Sequence, residues 1–377
     1  MISIEHKKDC CGCNACVQIC PHKCILMTSD TEGFAYPNID ASKCTNCRLC
    51  EKVCPVINQS ESRAPLESFA AINHNEDIRL KSSSGGTFSL LAEYVINEGG
   101  VVFGAIFNKK WEVVHGYAET IENISQFRGS KYVQSRIGEN YIKAKQFLDA
   151  GRKVLFSGTP CQIAGLKLFL RKDYSNLLAV DIICHGVPSP MVWGNYVEQI
   201  KTAYPITAIS MRDKTIGWKE FGMNISSLKC NICNETLSNN IYLQVFLRNL
   251  CLRPSCYKCP TLSGKSHSDI TIADYWGVQS IHPDFDDDKG CNLVLINSEK
   301  GLNLFNKLEC DKIETDFNTA IKYNPSYFKS VAEPKYRKYF FDSFDKYGFE
   351  VYQKILKKQH PSLIRRIASR CKRIILK

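Results

Sequence analysis

The residues best suited to chemistry in this 377-residue chain are its twenty cysteines, ten of which lie between Cys10 and Cys54. Eight of these ten form two runs with the same spacing, C-x2-C-x2-C-x3-C, and a proline follows each run. Three thiolates on one tight loop can bind three irons of one cubane cluster, and the fourth, redirected by the proline, reaches the neighbouring cluster. The spacing therefore predicts two 4Fe–4S clusters.

The exchange of the fourth thiolate also predicts which cysteines share a cluster. The first set is Cys10, Cys13, Cys16 and Cys54, and the second set is Cys44, Cys47, Cys50 and Cys20. Cys11 and Cys24 break the repeated spacing and remain spare. Zinc also takes four thiolates, but its sites usually draw on two C-x2-C pairs rather than on two runs of three.

The other cysteines that could bind metal are more dispersed, and their spacing leaves two alternatives open. Two pairs, Cys230-x2-Cys233 and Cys256-x2-Cys259, resemble a zinc ribbon when taken together. Alternatively, Cys256 and Cys259 join Cys161 and Cys184 around a third 4Fe–4S cluster. An isolated cysteine such as Cys310 is better explained as a small buried hydrophobe.

A serine- and glycine-rich segment, KSSSGGT at residues 81–87, is a candidate for phosphate binding. Apolar residues with helical spacing follow it, from Phe88 to Ile96, and residues 101–107 have the pattern of a strand. A turn of this kind directs free backbone N–H groups and the positive end of the helix toward one point. The alternative is an ordinary helix cap with a flexible approach.

Two later segments repeat the order strand, turn, helix. Residues 153–157 and 177–183 are predicted strands, and residues 162–171 and 190–204 are the helices that follow them. The intervening turns contain Cys161 and Cys184. Because ligands gather at the carboxyl edge of open α/β sheets, a shared ligand explains these two cysteines better than packing does.

Composition limits the kinds of protein that this chain could be. Its 44% hydrophobic and 23% charged residues are ordinary for a globular protein, and no apolar run approaches the roughly 18 residues of a membrane span. The chain reaches a cysteine motif at once, without the apolar segment of a secretory signal, which predicts a cytoplasmic protein with reduced thiols. Each cubane cluster adds about −2 to the formal charge of +11. No mixture of basic and aromatic residues suggests nucleic-acid binding.

Seven segments occur in an order that resembles the family of the beta subunits of coenzyme F420-reducing hydrogenases and F420-dependent formate dehydrogenases. They are SSSGGTFSLLAEYVINEGGVVFGAIF, FRGSKYVQS, VLFSGTPCQIAGLKLFL, DIICHGVPSP, MRDKTIGW, LCLRPSCYKCP and SDITIADYWGV. The resemblance covers about residues 65–330, while residues 10–55 look like a bacterial two-cluster ferredoxin. Members of this kind carry FAD and an adjacent 4Fe–4S cluster, often behind a fused ferredoxin.

The resemblance also implies site residues. The cysteines that match the family's cluster ligands are Cys161, Cys184, Cys256 and Cys259, and those of the flavin-binding loop are Ser83, Ser84, Gly85, Gly86 and Thr87. Lys131, Tyr132 and Gln134 belong to a motif that lies near the flavin in the family. We expect the turns at Thr159 and His185 to complete the pocket. Cys230 and Cys233 match no family motif and are interpreted as a loop pair, with zinc as the alternative.

Two further groups have uncertain roles. Arg212, Lys214 and Trp218 either hold an anionic substrate or complete a strand. Asp269, Asp274 and Trp276 either bound the flavin pocket or serve as a capping aspartate and core residues. We find no convincing catalytic triad or carboxylate pair, because the cofactors would perform the chemistry.

The predicted fold class is a multidomain α+β and α/β chain, in which a ferredoxin-like two-cluster module precedes a mixed-sheet flavin and iron–sulfur domain. The predicted divisions are residues 1–60 for the ferredoxin module, 65–150 for the part with the flavin loop, 151–330 for the part with the third cluster and 331–377 for a basic helical tail. Within this tail, residues 361–377 have the pattern of a helix on an anionic membrane surface, or of a solvated helix docked on its own protein. A peripheral position on the inner face of the membrane is therefore a further expectation.

The predicted function is that of an oxidoreductase that passes electrons between a hydride donor or ferredoxin, FAD and 4Fe–4S clusters. Its partner would be a redox protein or a soluble hydride donor. One alternative is a relay subunit of a larger redox complex, with no substrate of its own. Another is a non-redox scaffold that holds iron–sulfur clusters or zinc.

Overall fold

The computed structural model describes residue 2 and residues 6–201 and 204–359. The strands are β1 (Ile25–Ser29), β2 (Ala35–Ile39), β3 (Glu67–Ile72), β4 (Val101–Phe107), β5 (Val113–Ala118), β6 (Val154–Gly158), β7 (Leu177–Ile182), β8 (Ile206–Asp213), β9 (Gly222–Ser227), β10 (Asn231–Thr236), β11 (Ile270–Asp274), β12 (Asn292–Ile296) and β13 (Asp311–Glu314). The α-helices are α1 (Ala15–Gln18), α2 (Leu49–Lys52), α3 (Glu76–Lys81), α4 (Thr87–Asn97), α5 (Asn140–Asp149), α6 (Pro160–Leu170), α7 (Pro190–Ile200), α8 (Ile241–Leu247), α9 (Val278–Ile281), α10 (Glu299–Phe305), α11 (Phe317–Ala320), α12 (Arg337–Tyr347) and α13 (Glu350–Gln359).

An eight-stranded mixed sheet organises most of the molecule. Its strand order is β13-β3-β12-β11-β7-β6-β4-β5, in which β11, β7, β6 and β4 are mutually parallel. The remaining strands pair antiparallel. The central strands are apolar over most of their length, as in VLF of β6 and LLAV of β7, because helices cover both faces of the sheet. The chain therefore has a mixed α/β fold.

Alternate residues of the central strands face two different cores. Phe156 of β6 points to the core that contains α5 and α6, whereas Leu155 points to the core that contains α4 and α10. The helices start where their sequences provide caps. Thr159 and Gln162 form a capping box at α6, and the Ser298 hydroxyl accepts a hydrogen bond from the Gly301 N–H at α10.

The helices and strands predicted around the two cysteine turns are confirmed, with ends that differ by up to four residues. α7, for example, ends at Ile200 rather than at residue 204. The predicted division at residue 150 falls inside the large sheet, since β4 before it pairs directly with β6 after it. Strand pairing thus joins the two predicted parts into one folded unit.

A second core lies beside the sheet and contains more of the carboxyl-terminal sequence than we predicted. It joins the three-stranded sheet β10-β9-β8 to α7, α8, α12 and α13. Phe340 and Tyr352 of the last two helices are fully buried against Trp193 and Tyr242. The segment that we assigned to a tail from residue 331 is therefore part of this core as far as residue 359. The predicted membrane-surface helix at 361–377 lies outside the described residues.

The amino-terminal module, which consists of β1, β2, α1 and α2, packs on α5 and α6. The Gln18 side-chain oxygen accepts hydrogen bonds from the backbone N–H groups of Tyr141 and Ile142, at the start of α5. On the other side of the module, Glu32 forms a bidentate ion pair with the buried Arg337 of α12. Along the helices that the structure describes, no segment is both long and apolar enough to span a membrane.

Candidate cofactor sites

The amino-terminal cysteines line two small cavities within the module. Around the first cavity lie Cys10, Cys13, Cys16 and Cys54, together with Cys11. Around the second lie Cys20, Cys44, Cys47 and Cys50, together with Cys24. The structure therefore brings together each of the two sets that we predicted from the spacing, and it places one spare cysteine beside each set.

The two cysteine loops have the same local geometry. Asn14 and Arg48, each directly after the second cysteine of its run, adopt the left-handed conformation with φ of 68° and 60°. Each of them begins a single helical turn, α1 or α2, that carries the third cysteine. This repeated turn directs three thiols of each run inward, as ligands of one cluster must be.

Burial makes the Cys16 thiol of the first set a poor acid in the absence of metal. It raises the pKa of Cys16 to about 12, and the nearby Cys10 and Cys54 thiols add to the effect. Because iron binds the thiolate, a metal in this cavity would have to displace the thiol proton. The thiols are thus positioned to bind a cluster. Without metal, deprotonating these buried thiols would cost free energy.

A third set of cysteines gathers at the carboxyl edge of the large sheet. Cys161 lies in the first turn of α6, Cys184 directly follows β7, and Cys256 and Cys259 lie on the 3₁₀ helix Pro254–Lys258 and at its end. Burial raises the pKa of Cys184, and the thiols of Cys256, Cys161 and Cys259 raise it further. The four thiols of the predicted third cluster are therefore close neighbours.

The first and third cysteine sets approach each other through Cys11. The Cys11 and Cys161 thiols are close enough for each to shift the pKa of the other. On α6, Gly165 lies so close to the first set that a Cβ atom there would be 2.9 Å from the Cys13 Sγ. The first and third cysteine sets thus adjoin each other at Cys11 and along α6.

The immediate partners of Cys230 and Cys233 differ from those of Cys256 and Cys259. The Cys233 thiol is 3.6 Å from the Tyr196 hydroxyl, inside the carboxyl-terminal core, and Cys230 is exposed beside Ser227. The two pairs that would form a zinc ribbon thus have different surroundings. Throughout the part of the chain that the structure describes, no three Cys, His, Asp or Glu side chains converge on the position of one metal ion. A cubane does not require such convergence, because each thiolate binds a different iron.

A cavity of about 560 Å³ adjoins the third cysteine set, at the carboxyl ends of the parallel strands. The predicted flavin-contacting residues that line it are Ser83, Ser84, Gly86, Thr87, Lys131, Tyr132, Thr159 and His185. Cys184 lines it as well. The volume is in the usual range for sites of organic ligands and cofactors. One thiol therefore belongs both to the third cysteine set and to the wall of the cavity.

Hydrogen bonds to Cys291 and Asn292 hold the serine- and glycine-rich loop at the amino end of α4. The Ser84 hydroxyl donates to the Cys291 carbonyl, and the Thr87 N–H donates to the Asn292 side chain. Gly86 has a φ of 87°, which favours glycine. The Thr87 hydroxyl is fully buried and has no hydrogen-bond partner in the structure. A buried unsatisfied hydroxyl in the cavity wall fits a polar ligand group, such as a cofactor phosphate.

Lys131 and Tyr132 continue the cavity wall next to the loop, since the hydroxyls of Ser83 and Ser130 lie 2.8 Å apart. The Lys131 ammonium is surrounded by the carbonyls of Phe127, Arg128 and Gly129 at 3.2–3.4 Å. Burial lowers the pKa of Lys131 to about 7. The lysine can therefore gain or lose its proton near neutral pH.

A buried ion pair orients the Tyr132 hydroxyl. Arg212 Nη1 lies 2.7 Å from Asp274 and donates to the Tyr132 oxygen at 3.1 Å. Trp276, which stacks on Trp218 at 4.9 Å, covers the same guanidinium. All of these side chains except Trp218 line the cavity. Because the phenol oxygen accepts from Arg212, its single proton is free to point elsewhere.

Two histidines in the wall are held neutral. Burial lowers the pKa of His115 to about 4, and its ring bonds both the Ser157 carbonyl and the Ser135 hydroxyl. Burial also lowers the pKa of His185, whose Nε2 lies 2.6 Å from Asn249. Both rings are therefore suited to hydrogen bonding rather than to holding positive charge.

Two residues of the predicted flavin set lie elsewhere. Gly85 packs its backbone against Ala71 and Asn292, with no room for a Cβ atom. Gln134 donates to the Cys11 carbonyl and accepts from Arg253, so it lies between the amino-terminal module and the third cysteine set. Lys214 also supports the loop from behind, because its ammonium donates to the Ser84 carbonyl.

Several functional candidates carried little or no sequence signal. Asn292, which caps the loop helix, lies 205 residues from Thr87 on β12, so no local pattern could have indicated it. Arg253 is fully buried and donates to the carbonyls of Cys10 and Ala35. Its position three residues before Cys256 was the only hint, since a charged residue inside a cysteine motif commonly has a specific partner.

Comparisons with known protein families cover both the cysteine-rich module and the sheet. Residues 151–319 match the model that describes the C terminus of the beta subunit of coenzyme F420 hydrogenase/dehydrogenase, and residues 9–58 match that of a 4Fe-4S dicluster domain. Residues 151–319 thus correspond to the carboxyl-terminal part of this beta subunit family, and they follow an amino-terminal ferredoxin module. The family match includes the turns of Cys161 and Cys184 and the pair Cys256 and Cys259.

Two relatives of this chain come from one organism. An uncharacterized protein of Methanocaldococcus jannaschii is 24% identical over 79% of this chain and 86% of its own length. An uncharacterized ferredoxin of the same organism is 35% identical over 14% of this chain and 66% of its own length. A chain in the structure of the F420-reducing NiFe hydrogenase complex from Methanosarcina barkeri is 16% identical, with a TM-score of 0.44 over 79% of this chain and 94% of that chain.

Proposed function

We propose that this protein is an FAD- and iron–sulfur-dependent oxidoreductase that passes electrons between a hydride donor or ferredoxin, a flavin in the 560 Å³ cavity and three 4Fe–4S clusters. The observation that carries the proposal is the position of Cys184, which lies in the third cysteine set and also lines the cavity. When bound, flavin supplies exchange between hydride and single electrons, and cubane clusters carry single electrons.

The residues of the chain would bind and orient the ligands. The loop at Ser83–Thr87 and the unsatisfied Thr87 hydroxyl would hold a phosphate at the amino end of α4. Lys131 would add positive charge to the cavity wall when it is protonated. The Tyr132 hydroxyl, held by Arg212, would donate its proton from Oη to a group bound in the cavity.

The order of the cysteine sets supports a single route for electrons. The third set borders the cavity, Cys11 connects it to the first set, and the second set follows within the module. Phe127, Phe221 and Phe246 in the cavity wall would limit the access of water.

Metal and flavin content of anaerobically purified protein tests the proposal. We expect about twelve irons, at four per cubane, and one FAD per chain. The flavin absorbance should bleach when dithionite is added. In a separate sample of oxidised protein, it should also bleach when a hydride donor is added. Fully loaded iron without flavin would contradict the oxidoreductase proposal, and eight irons with one zinc would favour the zinc ribbon.

The relay alternative makes a different kinetic prediction. An enzyme with its own substrate site should reduce a dye from a soluble donor when it is alone, whereas a relay subunit should need its partner. The cavity beside Cys184 would hold flavin in an enzyme and in a flavin-containing relay alike, so this assay decides between them. A scaffold should show neither activity.

A further inference from the structure

A large basic groove lies on the edge of the sheet opposite the cavity. It has a volume of about 1400 Å³ and is bordered by the amino ends of β6 and β7, whereas the cavity lies at their carboxyl ends. Eight lysine and arginine side chains line it, compared with three carboxylates. We call this surface the basic groove.

Most of this positive charge is not neutralised locally. Lys300 approaches Asp269 at 3.2 Å, Lys153 pairs with Glu98 at 2.8 Å, and the exposed Lys172 lies 3.7 Å from Asp149. In contrast, no carboxylate of the described residues lies within 4 Å of the charged groups of Lys52, Lys167 or Arg171. Burial lowers the pKa of Lys167, as expected for an ammonium without a directly bonded carboxylate. The groove therefore projects a net positive potential into solvent.

The residues that line the groove are adjacent in sequence to residues that contact the first cysteine set. Ala164 of α6 lines the groove, and the next residue, Gly165, packs against the Cys13 thiol. On the module side, Lys52 lines the groove, and the fully buried Val53 separates it in sequence from Cys54. A carrier seated in the groove would thus lie close to the first cluster.

The shape and charge distribution favour a protein over a small anion. The groove exceeds the roughly 300–1,000 Å³ of small-molecule sites, and its cations extend along the rim from Lys52 to Lys307 instead of converging on one point. Like charges spread over an open surface attract an oppositely charged protein and accelerate its association.

We propose that the basic groove is the docking surface for an acidic one-electron carrier protein of the ferredoxin type, which exchanges electrons with the cluster at Cys10, Cys13, Cys16 and Cys54. In each transfer the reduced carrier loses one electron and this cluster gains it, and no covalent bond forms or breaks. The inference rests on the proposed redox function and adds the partner and the place where it binds.

Anaerobic stopped-flow mixing of the loaded protein with a reduced acidic plant-type 2Fe–2S ferredoxin tests the docking surface. The double variant Arg171→Glu/Lys172→Glu reverses two exposed charges of the groove. The control Lys109→Glu/Lys110→Glu reverses two exposed charges on the turn between β4 and β5, away from the groove. Both double variants change the net charge equally, so only the position of the charges differs.

We expect the groove variant to lower the second-order rate constant of cluster reduction about tenfold at low ionic strength, and the control to change it less than about twofold. The difference should shrink near 0.5 M salt, because screening weakens the attraction. Equal slowing of both variants, or a rate without salt dependence, would overturn the inference. Inhibition by inorganic phosphate at constant ionic strength would also overturn it, since it would indicate a small-anion site.

Dithionite separates this inference from the proposed function. It should reduce the clusters of all three proteins to the same final extent. If it produces no reduced-cluster signal in the unaltered protein, the redox function itself is wrong, and the docking proposal falls with it. Normal reduction by dithionite, together with identical rates for the two variants, would exclude only the docking surface.

Discussion

At the scale of single residues, Arg212 and Lys131 in the cavity wall differ in how firmly they hold their charge. Burial acts to lower the pKa of Arg212, but the Asp274 carboxylate and the Tyr132 hydroxyl together outweigh it and the pKa is raised overall. The Lys131 ammonium is bonded to backbone carbonyls and to no carboxylate of the described residues, and burial lowers its pKa to about 7. Arg212 is thus a permanent cation, whereas the charge of Lys131 depends on pH.

This difference predicts a pH dependence of flavin binding. Lys131 is protonated below about pH 7 and neutral above it, so its attraction for an anionic cofactor should be present at low pH and lost as the pH rises. We expect FAD affinity to fall about three- to tenfold between pH 6 and pH 9, measured by fluorescence titration of flavin-depleted protein. Lys131→Gln should bind weakly at every pH.

Lys143→Gln, at an exposed position of α5, is the matched control and should keep the pH dependence of the unaltered protein. An affinity of the unaltered protein that does not change over this pH range would show that Lys131 contributes no charge to the site.

At the scale of elements, α6 links three features of the molecule. Its first turn carries Cys161, its middle contacts the first cysteine set through Gly165, and Arg171 at its end lines the basic groove. The absence of a side chain at residue 165 allows the module to approach this closely. α6 therefore fixes the distance between the first and third cysteine sets.

Two helical glycines provide a test of this close approach. Gly165→Ala would place a methyl group 2.9 Å from the Cβ and Sγ of Cys13, and a thiolate bound to iron cannot move away freely. We expect lower iron content and a lower unfolding temperature. Gly194→Ala on α7 meets no atom within 4 Å, so it should stabilise the protein by about 0.5–1 kcal/mol through helix propensity. Equal iron content in both variants would contradict the role of Gly165.

Sequence patterns predicted the local elements well because strand, turn and helix are encoded by neighbouring residues. The runs before Cys161 and Cys184 are apolar enough to identify buried strands, and the repeated cysteine spacing predicted which thiols gather in each amino-terminal set. Long-range pairing was not predictable in this way. The support of Thr87 by Asn292 and the position of Gln134 beside Cys11 depend on how distant segments pack.

The carboxyl-terminal helices illustrate the same limit. The arginines and lysines beyond Pro361 suggested a basic tail, and we extended it back to residue 331. Phe340, Phe344 and Tyr352 nevertheless face a common core with α7 and α8. Burial of one aromatic face against a partner outweighs the charged residues on the other face, and the partner is not visible in the local sequence.

At the scale of the whole molecule, the module is fixed to the rest of the chain by buried arginines at two places. Arg253 donates to the carbonyls of Cys10 and Ala35 and to the side chain of Gln134. Arg337 pairs with Glu32 on the loop between β1 and β2. Two separated attachments hold a small module in one orientation, which the segment at residues 58–65 that connects it to β3 would not do by itself.

Replacing Arg253 should loosen this docking. Arg253→Met leaves three buried acceptors without their donor, which we expect to cost about 3 kcal/mol. Limited proteolysis should then cut faster within residues 58–65, and electrons should pass more slowly between the module and the third cluster. The control Arg248→Met removes an exposed arginine and should change neither rate. Unchanged proteolysis of Arg253→Met would indicate that the other contacts suffice to hold the module.

The opposite placement of the cavity and the basic groove has a kinetic consequence under the proposed function. A hydride donor bound at one rim of the sheet leaves the other rim open, so the two reactants need not take turns at a common site. Each half-reaction could proceed while the other reactant is still bound, and saturation with one reactant would not compete with the other. The parallel strands thus separate the site of hydride transfer, at their carboxyl ends, from the site of single-electron transfer, at their amino ends.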